Sequence, residues 1–393
     1  MKKIVLQKGK EKSLQRFHPW VFSGAIHKSD HFLNEGEIVE VLDYNGNYIA
    51  TGHYHNNSIA VRVFSFQQVE PDLAFWKMKI GNAISYRKLL GFFDNLQTNM
   101  FRLINGEGDD LPGLIVDWFD GVVVIQFHSV GMYLLKDIIV SVLQDLLEGK
   151  LKAIYNKSAT TLPDIKGVSV EDEVLFGNFD EVIVKENGNS FYIDILKGQK
   201  TGFFIDQREN RALVGEYAKG KKVLNLFCYT GGFSIYALAN GAKEVHSVDI
   251  SKKATDILRA NTALIPDVEK KHEIFTDNVF DYLENIPADY YDLIVLDPPA
   301  FAKHHKVKEQ GIKGYRNINR KAMEKIKKGG LLFTFSCSQA ISKDDFQTLL
   351  FSSAVMEGKS VKVMKQLQQA VDHPVNIYHP EGNYLKGFML HIS

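Results

Sequence analysis

The second half of the chain alternates short apolar runs with longer amphipathic stretches. The runs KKVLNLF, EVHSVDI, YDLIVLD and GLLFTFS are apolar at most positions, which is typical of strands buried on both faces of a parallel sheet. The stretches between them have helical periodicity, so the pattern predicts an α/β, doubly wound, mostly parallel sheet. Two later runs, SVKVMKQLQ and YLKGFMLHI, are predicted to pair antiparallel at one edge of that sheet.

In the first half of the chain, apolar and polar residues alternate over shorter segments, and residue pairs that favour turns are more frequent. Alternating strands are predicted around Asn45-Gly46, Asp120-Gly121 and Asn187-Gly188, dipeptides that favour tight hairpin turns. The stretches LAFWKMKIGNAISYRKLL and MYLLKDIIVSVLQDLLEG are each predicted to be one helix. The pattern therefore predicts a small β module, a central α+β module with a bridging hairpin, and the α/β module, over residues 1–70, 71–190 and 191–393.

Composition narrows the class of protein. The chain has 393 residues, two cysteines and a formal net charge of zero. Two cysteines provide no disulfide framework, and no Cys/His group has the spacing of a zinc site, so we predict no metal. No apolar run approaches the length of a membrane span, and no apolar segment follows the charged N-terminus, so we expect a cytoplasmic protein without a membrane partner.

Positive charge is concentrated in two stretches. Residues 1–16 carry a local charge of +5, and residues 303–328 carry +8. Such stretches are either solvated surface or phosphate-binding surface. The second begins directly after the Asp297-Pro298-Pro299 motif, so it is predicted to border the ligand crevice, with His304, His305 and Tyr315 as candidate stacking or phosphate contacts.

The segment KKVLNLFCYTGGFSIYALANGA predicts a strand, a glycine turn and a helix, and the following strand ends in Asp249, 18 residues after Gly231. In doubly wound sheets such a turn allows the ligand to approach the backbone, and the acidic residue accepts hydrogen bonds from ribose hydroxyls. The G-x-G-x-x-G motif of dinucleotide sites is absent. A ribose-bearing cofactor without a pyrophosphate therefore fits better, and S-adenosylmethionine is the candidate.

Two further positions near this turn have alternative interpretations. Asp277 and Asn278 follow the strand HEIF, where a side chain can reach an adenine ring, although a helix N-cap explains them equally well. Cys228 ends the first strand of the module and is interpreted as a small packing residue.

The second cysteine lies in a different context. Cys337 in TFSCSQA follows an apolar strand, and Asp297 follows the strand LIVL before two prolines. If these strands are neighbours, the two side chains lie at one edge. Carbon 5 of a pyrimidine is too weak a nucleophile to accept a methyl group unless a thiolate first adds at carbon 6. We therefore predict that Cys337 is the nucleophile and that Asp297 holds the ring, while a buried, inert cysteine remains the alternative.

The motifs HPWVFSGAI, GEGDDLPGLIVD, KTGFFIDQREN, NLFCYTGGFS, LDPPAF, FSCS and HPEGNYLKG resemble those of the bacterial 23S ribosomal RNA large-subunit methyltransferase I family along almost the whole chain. The resemblance implies an N-terminal PUA domain that binds RNA and a Rossmann-like, S-adenosylmethionine-dependent cytosine-C5 methyltransferase domain. It also implies Cys337 as the nucleophile and a set of cofactor-binding residues, namely Phe227, Tyr229, Thr230, Gly231, Asp249, Asp277, Asn278, Gln207 and Arg208.

The sequence departs from the family pattern after the Asp-Pro-Pro motif, and other functions remain as alternative hypotheses. The family's usual lysine after Asp-Pro-Pro is Ala300 here, so a substrate contact is either lost or supplied by Lys303. The competing hypotheses are a methyltransferase acting on a base nitrogen, such as that of guanine, and an RNA-binding assembly factor with a vestigial fold. The target nucleotide, the form of the substrate RNA and the oligomeric state, including a homodimer, stay open.

Overall fold

The structure is a computed structural model that describes residues 1–162, 170–302 and 304–393. The chain forms two compact units, each built from several segments. The first unit comprises Met1–Val184, Asp194–Gly202 and Val371–Gly382, and the second comprises Lys185–Ile193, Phe203–Ala370 and Asn383–Ser393. The two boundaries between the three domains expected from the sequence are not tested by this division and stay a prediction.

The N-terminal part of the first unit is a six-stranded sheet. Its strands are β1 (Lys2–Leu6), β2 (Trp20–Phe22), β3 (Ile26–Ser29), β4 (Ile38–Leu42), β5 (Tyr48–Tyr54) and β6 (Ile59–Ser65), in the order β2-β6-β5-β4-β1-β3. The predicted Asn45-Gly46 hairpin joins β4 to β5, and Gly46 has a φ of 89°. One face of the sheet buries a compact apolar cluster that includes Ile4, Val39 and Val61.

The rest of the first unit is an α+β layer with a second sheet. It contains α1 (Leu73–Leu89), β7 (Met100–Asn105), β8 (Leu114–Phe119), β9 (Val122–Phe127), α2 (Val130–Leu134), α3 (Lys136–Leu146), β10 (Ala153–Asn156) and β11 (Glu173–Gly177). The sheet order is β11-β10-β9-β8-β7, and the predicted Asp120-Gly121 turn joins β8 to β9 with both φ angles positive. Apolar side chains of α1 and α3 pack with those of the sheet in a single core.

One predicted helix is interrupted in the structure. The stretch MYLLKDIIVSVLQDLLEG forms parts of both α2 and α3, so the expectation of a single helix is wrong. Leu135 lies between them with φ −93° and ψ 9°, and its N–H donates to the carbonyl of Met132 at 3.1 Å. This i→i−3 hydrogen bond tightens the chain into a 3₁₀ turn, which separates the two axes.

The second unit is organised around a seven-stranded sheet. It is preceded by the hairpin of β12 (Val182–Glu186) and β13 (Asn189–Ile193), which turns at Asn187-Gly188 as predicted. The remaining elements are α4 (Arg208–Ala218), β14 (Lys222–Leu226), α5 (Gly232–Ala239), β15 (Glu244–Asp249), α6 (Lys252–Ala263), β16 (His272–Thr276), α7 (Val279–Asn285), β17 (Tyr291–Leu296), α8 (Lys308–Lys325), β18 (Ile326–Ser336), α9 (Lys343–Met356), β19 (Val361–Leu367) and β20 (Lys386–Ile392).

The order of this sheet, β16-β15-β14-β17-β18-β20-β19, confirms the predicted doubly wound α/β fold. Strands β14 to β18 are parallel to one another, and the late strands β20 and β19 extend the sheet antiparallel at one edge, as expected. The order reverses direction at β14, since β15 and β17 flank it. Within the described residues, no helix has the length and apolar character that crossing a membrane requires.

Candidate functional site

The carboxyl ends of five parallel strands meet at one edge of the seven-stranded sheet, and most of the predicted site residues follow these ends. Phe227 follows β14, Asp277 follows β16, Asp297 follows β17 and Cys337 follows β18, while Asp249 is the last residue of β15. Ligands of doubly wound sheets bind in the crevice outside these ends, at the point where the strand order reverses. The topology therefore brings the cofactor candidates and the reaction candidates to the same edge.

The turn after β14 has an unusual backbone. Phe227, Tyr229 and Gly231 have positive φ angles of 56°, 48° and 86°. Non-glycine residues seldom adopt this region, and clusters of them occur where a backbone is shaped for a ligand. At Gly231 a side chain is excluded on two grounds, because φ is positive and because a Cβ would overlap the side chain of Leu258. The glycine predicted from the motif is thus required by the turn itself.

Asp249 connects this turn to the neighbouring strand. Its Oδ2 accepts a hydrogen bond from the backbone N–H of Tyr229 at 2.9 Å, and its Oδ1 accepts one from the N–H of Ser251 at 2.9 Å. A carboxylate oxygen has two lone pairs, so each oxygen retains an acceptor site. The carboxylate is therefore both anchored and able to accept from ribose hydroxyls, as the sequence predicts.

Thr230 supplies an observation that the sequence did not reveal. Its side chain is buried, and its Oγ1 has no hydrogen-bond partner, which is uncommon for a buried polar atom. Its carbonyl accepts from Asn261 Nδ2 at 2.9 Å, and Asn261 Oδ1 accepts from the N–H of Tyr192 at 2.7 Å. A fixed turn with an unsatisfied hydroxyl beside the Asp249 carboxylate fits a polar cofactor such as S-adenosylmethionine.

Asn278 adopts the N-cap geometry that was one of its two interpretations. Its Oδ1 accepts from the N–H of Phe280 at 2.8 Å and caps α7. Asp277 accepts from the N–H of Asn278 at 2.7 Å and is exposed. The cap leaves the amide nitrogen of Asn278 outside this hydrogen bond, so capping and a cofactor contact are compatible. The assignment of both residues to the cofactor stays a prediction.

The structure places Gln207 against the Asp297 carboxylate. Gln207 is 3% exposed, its Nε2 donates to Asp297 Oδ2 at 3.0 Å, and its Oε1 accepts from Asn210 Nδ2 at 2.6 Å. These two hydrogen bonds fix the orientation of the Gln207 amide and hold one oxygen of Asp297. Gln207 therefore links the KTGFFIDQREN segment to the predicted reaction centre.

Arg208 lies beside a buried carboxylate that sequence reasoning missed. Its Nε is 3.6 Å from Glu186 Oε2, and Arg211 donates to both oxygens of Glu186 at 2.7 Å. The Tyr236 hydroxyl also donates to Glu186 at 3.1 Å. The only sequence signal was a pair of arginines, three residues apart, on the buried face of α4. The predicted contact of Arg208 with the cofactor stays a prediction.

Strands β17 and β18 are adjacent, which is the arrangement that would bring Asp297 and Cys337 to one edge of the sheet. Leu296 pairs with Thr334 in the parallel register, so Asp297 and Cys337 emerge from neighbouring strands. Cys337 is partly exposed. The next residue, Ser338, is buried, and its Oγ hydrogen-bonds the hydroxyl of Tyr315 at 2.9 Å.

Cys228 has the packing role that the sequence predicts. It is 5% exposed, and its N–H donates to the carbonyl of Val248 at 3.1 Å. Burial, and to a smaller extent the negative charge of Asp249, raises the pKa of its thiol well above the usual value. The thiol therefore stays protonated at neutral pH, and a protonated thiol is a poor nucleophile.

The basic stretch 303–328 is partly neutralised by carboxylates of other elements. Ion pairs join cations of this stretch to carboxylates, namely Lys308 to Asp345, Arg320 to Glu357, Lys321 to Glu284, Lys325 to Glu324 and Lys327 to Asp292, at 2.7 to 3.6 Å. Four of these carboxylates lie outside the stretch, so about half of its +8 net charge is matched by other elements, and the solvated-surface interpretation gains weight. Lys303 and the side chain of His305 lie outside what the structure describes.

Tyr315 does not have the role expected from the sequence. The interpretation as a stacking or phosphate contact is wrong, because the side chain is fully buried. Its ring packs against Phe301, with centroids 4.6 Å apart, and against Phe346 at 5.8 Å. A helical position on the apolar face of α8 explains this burial.

The N-terminal basic stretch, residues 1–16, has several exposed cations without an ion pair to a described residue. Lys2 pairs with Glu37 at 3.0 Å, whereas Lys8, Lys10, Lys12 and Arg16 are exposed and form no ion pair with a described residue. Across the described ranges, no group of three or more His, Cys, Asp or Glu side chains is arranged to hold a metal ion. The four exposed cations Lys8, Lys10, Lys12 and Arg16 are therefore available to contact a polyanion.

Comparison with known proteins gives a consistent result. A model for S-adenosylmethionine-dependent methyltransferases matches residues 101–380, and a PUA-like domain model matches residues 4–66. The chain is 38% identical, over 98% of its length and 98% of theirs, to proteins named ribosomal RNA large subunit methyltransferase I from Escherichia coli O157:H7, Enterobacter sp. (strain 638) and Shigella dysenteriae serotype 1.

Solved structures share the fold over the whole chain. The crystal structure of SMU.776 complexed with SAH has a TM-score of 0.87 at 23% identity, and a structure described as a SAM-dependent methyltransferase from Streptococcus mutans has a TM-score of 0.85 at 24% identity. Each alignment covers 100% of both chains. At this level of identity the similarity establishes the architecture, and the 38% relatives carry the family assignment.

Proposed function

The chain belongs to the ribosomal RNA large subunit methyltransferase I family and uses S-adenosylmethionine, and from this premise we propose that it methylates carbon 5 of a cytosine in 23S ribosomal RNA through a covalent adduct with Cys337. The observation that carries the proposal is the position of Cys337. It follows β18, next to the strand β17 that Asp297 follows, and lies at the same sheet edge as the glycine turn.

The reaction requires a thiolate because carbon 5 of cytosine is a weak nucleophile. Addition of the Cys337 sulfur at carbon 6 forms a C–S bond and makes carbon 5 enamine-like, so that carbon 5 can accept a methyl group. A base then removes the proton from carbon 5, the C–S bond breaks, and the thiolate is regenerated. Each bond that Cys337 forms is thereby reversed within one turnover.

The turn after β14 is assigned to the cofactor. S-adenosylmethionine supplies an electrophilic methyl group on its sulfonium. We assign the ribose to Asp249, whose two oxygens are already fixed by backbone N–H groups, and a polar contact to the buried Thr230 hydroxyl. Phe227, Tyr229 and Gly231 shape the backbone around it, and Asp277 and Asn278 are assigned to the adenine end.

Asp297 is assigned to the base that is methylated. Its Oδ2 accepts a hydrogen bond from Gln207 Nε2, and we assign the carboxyl group, protonated or hydrogen-bonded, to ring nitrogen 3 and the 4-amino group of cytosine. A carboxyl group fixed in this way positions the ring so that carbon 6 meets the sulfur. The Cys337 thiol can reach carbon 6 only when the base has left its stack, so an unpaired cytosine is the expected target.

The N-terminal sheet is assigned to RNA binding. Four exposed cations, Lys8, Lys10, Lys12 and Arg16, lie close together in the sequence of the part that matches the PUA-like model. Phosphate contacts of this kind position an RNA without reading its sequence. The boundaries at residues 70 and 190, the action in the cytoplasm and a homodimeric assembly are part of the proposal.

The proposal is tested by incubating the enzyme with isotope-labelled S-adenosylmethionine and ribosomal RNA and analysing the nucleosides. Label in 5-methylcytidine is the expected result. Label in an N-methylated guanosine would assign the chain to base-nitrogen methylation, with Cys337 idle. RNA binding without any transfer of label to naked RNA or to ribosomal particles would indicate an assembly factor.

A further inference from the structure

Lys386 is a buried lysine at the reaction edge of the seven-stranded sheet. It is the first residue of β20 and pairs with Ser336, the last residue of β18, in the antiparallel register. The residue is 8% exposed, and its Nζ donates to the carbonyl of Ser338 at 2.7 Å. The ammonium group is therefore held by the backbone of the residue that directly follows Cys337.

This ammonium group is not paired with a carboxylate. Among the described residues, no Asp or Glu oxygen lies within 4 Å of Lys386 Nζ. Lys325 offers a contrast in the same unit: it is equally buried, donates to the carbonyl of Ile286 at 2.9 Å, and has Glu324 at 3.6 Å. Because a buried charge without an opposite charge is costly, the environment of Lys386 requires an anion or a neutral amine.

The negative group whose charge acts on Lys386 is Cys337, the residue before Ser338. Burial lowers the pKa of Lys386 to about 8, and the negative charge of the Cys337 sulfur acts against that shift by favouring the protonated lysine. Coulombic stabilisation is mutual, since an ammonium stabilised by a thiolate stabilises the thiolate equally. The geometry and the charge balance thus point to a pair rather than to two independent groups.

We propose that Lys386 is a positioning residue that holds the Cys337 sulfur as a thiolate ready for attack, an inference that rests on the proposed function of Cys337. In this arrangement the cysteine proton is released to solvent, and the lysine retains its own. When the sulfur adds to carbon 6, its charge moves into the pyrimidine ring. The ammonium then loses its partner, which favours return of the thiolate at the end of the reaction.

Three other titratable groups that the structure describes at this edge, Tyr315, Asp297 and Asp206, carry no positive charge. Tyr315 from α8 contacts Ser338, and its pKa is raised, mainly by burial and in part by the negative charge of Cys337. Asp297 follows the adjacent strand and, when ionised, opposes a thiolate. The Asp206 carboxylate accepts a hydrogen bond at 2.6 Å from the hydroxyl of Tyr384, a residue that lies just before β20. Among these described groups, Lys386 is the one that favours a thiolate.

The test measures the thiolate without RNA or cofactor. The rate of alkylation of Cys337 by iodoacetamide is followed from pH 5 to 10 by mass spectrometry of its peptide, in the wild-type protein, Lys386→Met and Lys325→Met. Removal of an adjacent positive charge is expected to move the midpoint for Lys386→Met upward by about 1–3 pH units. Lys325→Met removes a similarly buried lysine at the other end of β18, and its midpoint should match the wild type.

Two results would overturn the proposal. One is a folded Lys386→Met protein whose alkylation midpoint equals that of the wild type. The other needs no variant of Lys386: thiolate absorbance near 240 nm, measured as the difference between wild type and Cys337→Ala, should rise with a midpoint well below the ordinary cysteine value of about 8.5. A midpoint at or above that value would contradict the proposal even if Lys386→Met failed to fold.

The assay separates this inference from the proposed function. A low midpoint that depends on Lys386 supports the inference even if nucleoside analysis finds no 5-methylcytidine. The opposite outcome is also possible to recognise. If 5-methylcytidine formation requires Cys337 but Lys386→Met leaves the alkylation profile unchanged, the proposed function is retained and the role of Lys386 is rejected. Lys386→Arg keeps the charge, and its midpoint should remain close to that of the wild type.

Discussion

The two cysteines of this chain occupy equivalent places in one sheet and have opposite surroundings. Each follows the carboxyl end of a parallel strand, Cys228 after β14 and Cys337 after β18. Cys228 is buried, and burial and the charge of Asp249 both raise its pKa. Cys337 is partly exposed, and the neighbouring Ser338 carbonyl holds the ammonium group of Lys386.

This difference shows that a strand end does not by itself make a cysteine reactive. The sheet brings both thiols to the ligand edge, but the sign of the nearest charge and access to solvent decide which one ionises. Burial, and to a smaller extent the Asp249 carboxylate, keeps the proton on the Cys228 sulfur. An ammonium next to Cys337 favours the thiolate, and partial exposure leaves room for a substrate base.

The largest effect is expected from exchanging each sulfur for oxygen. Cys337→Ser should lower methylation of ribosomal RNA on the order of 10³-fold or more, because the hydroxyl is far less nucleophilic at neutral pH. Cys228→Ser should retain methylation within about threefold, since its thiol stays protonated. Label transfer from S-adenosylmethionine measures both, and similar losses in the two variants would erase the distinction between the cysteines.

A smaller effect is expected at Asp249, which contributes to the raised pKa of Cys228 and is assigned to the ribose. Asp249→Ala should weaken S-adenosylmethionine binding by about 1–3 kcal/mol, the range for leaving donors unpaired. Calorimetry on the purified protein measures this change. Because burial is the larger cause of its raised pKa, Cys228 should remain resistant to iodoacetamide in this variant. Unchanged affinity would remove Asp249 from the cofactor site.

The smallest effect is expected far from both cysteines in the sequence. Replacing Lys8, Lys10, Lys12 and Arg16 with glutamine should reduce the slope of log affinity for RNA against log salt by roughly 3, if each cation contacts one phosphate of a single strand. Cofactor affinity and the alkylation profile of Cys337 should not change. Titrations of labelled RNA at several salt concentrations measure the slope, and an unaltered slope would assign RNA binding to another surface.

Much of the fold was predictable because its signals are local. The Asn-Gly and Asp-Gly turns determine their own backbone, and apolar runs between helices indicate a parallel sheet. The Gly231 turn and the Asp249 carboxylate were identifiable for the same reason. The break at Leu135 was not, because a single 3₁₀ hydrogen bond leaves the amphipathic pattern intact.

Other features depend on contacts between segments that are distant in sequence. The 303–328 stretch has a high positive charge, yet Asp345 and Glu357, on and just after α9, neutralise part of it. Lys386 occurs in the quoted motif HPEGNYLKG, but nothing in that motif indicates burial next to the end of β18. Only the antiparallel pairing of β20 with β18 reveals that the lysine and Cys337 share a site.

The most direct test of the central claim is to trap the adduct on RNA that carries 5-fluorocytosine at the target position. Fluorine replaces the proton that must leave carbon 5, so the C–S bond cannot be released once methyl transfer has occurred. Wild type and Cys228→Ser should each form a complex that survives denaturing electrophoresis, and Cys337→Ser should form none. An adduct in the Cys337→Ser protein, or none with a wild-type enzyme that methylates the same RNA with cytosine in place, would contradict the account.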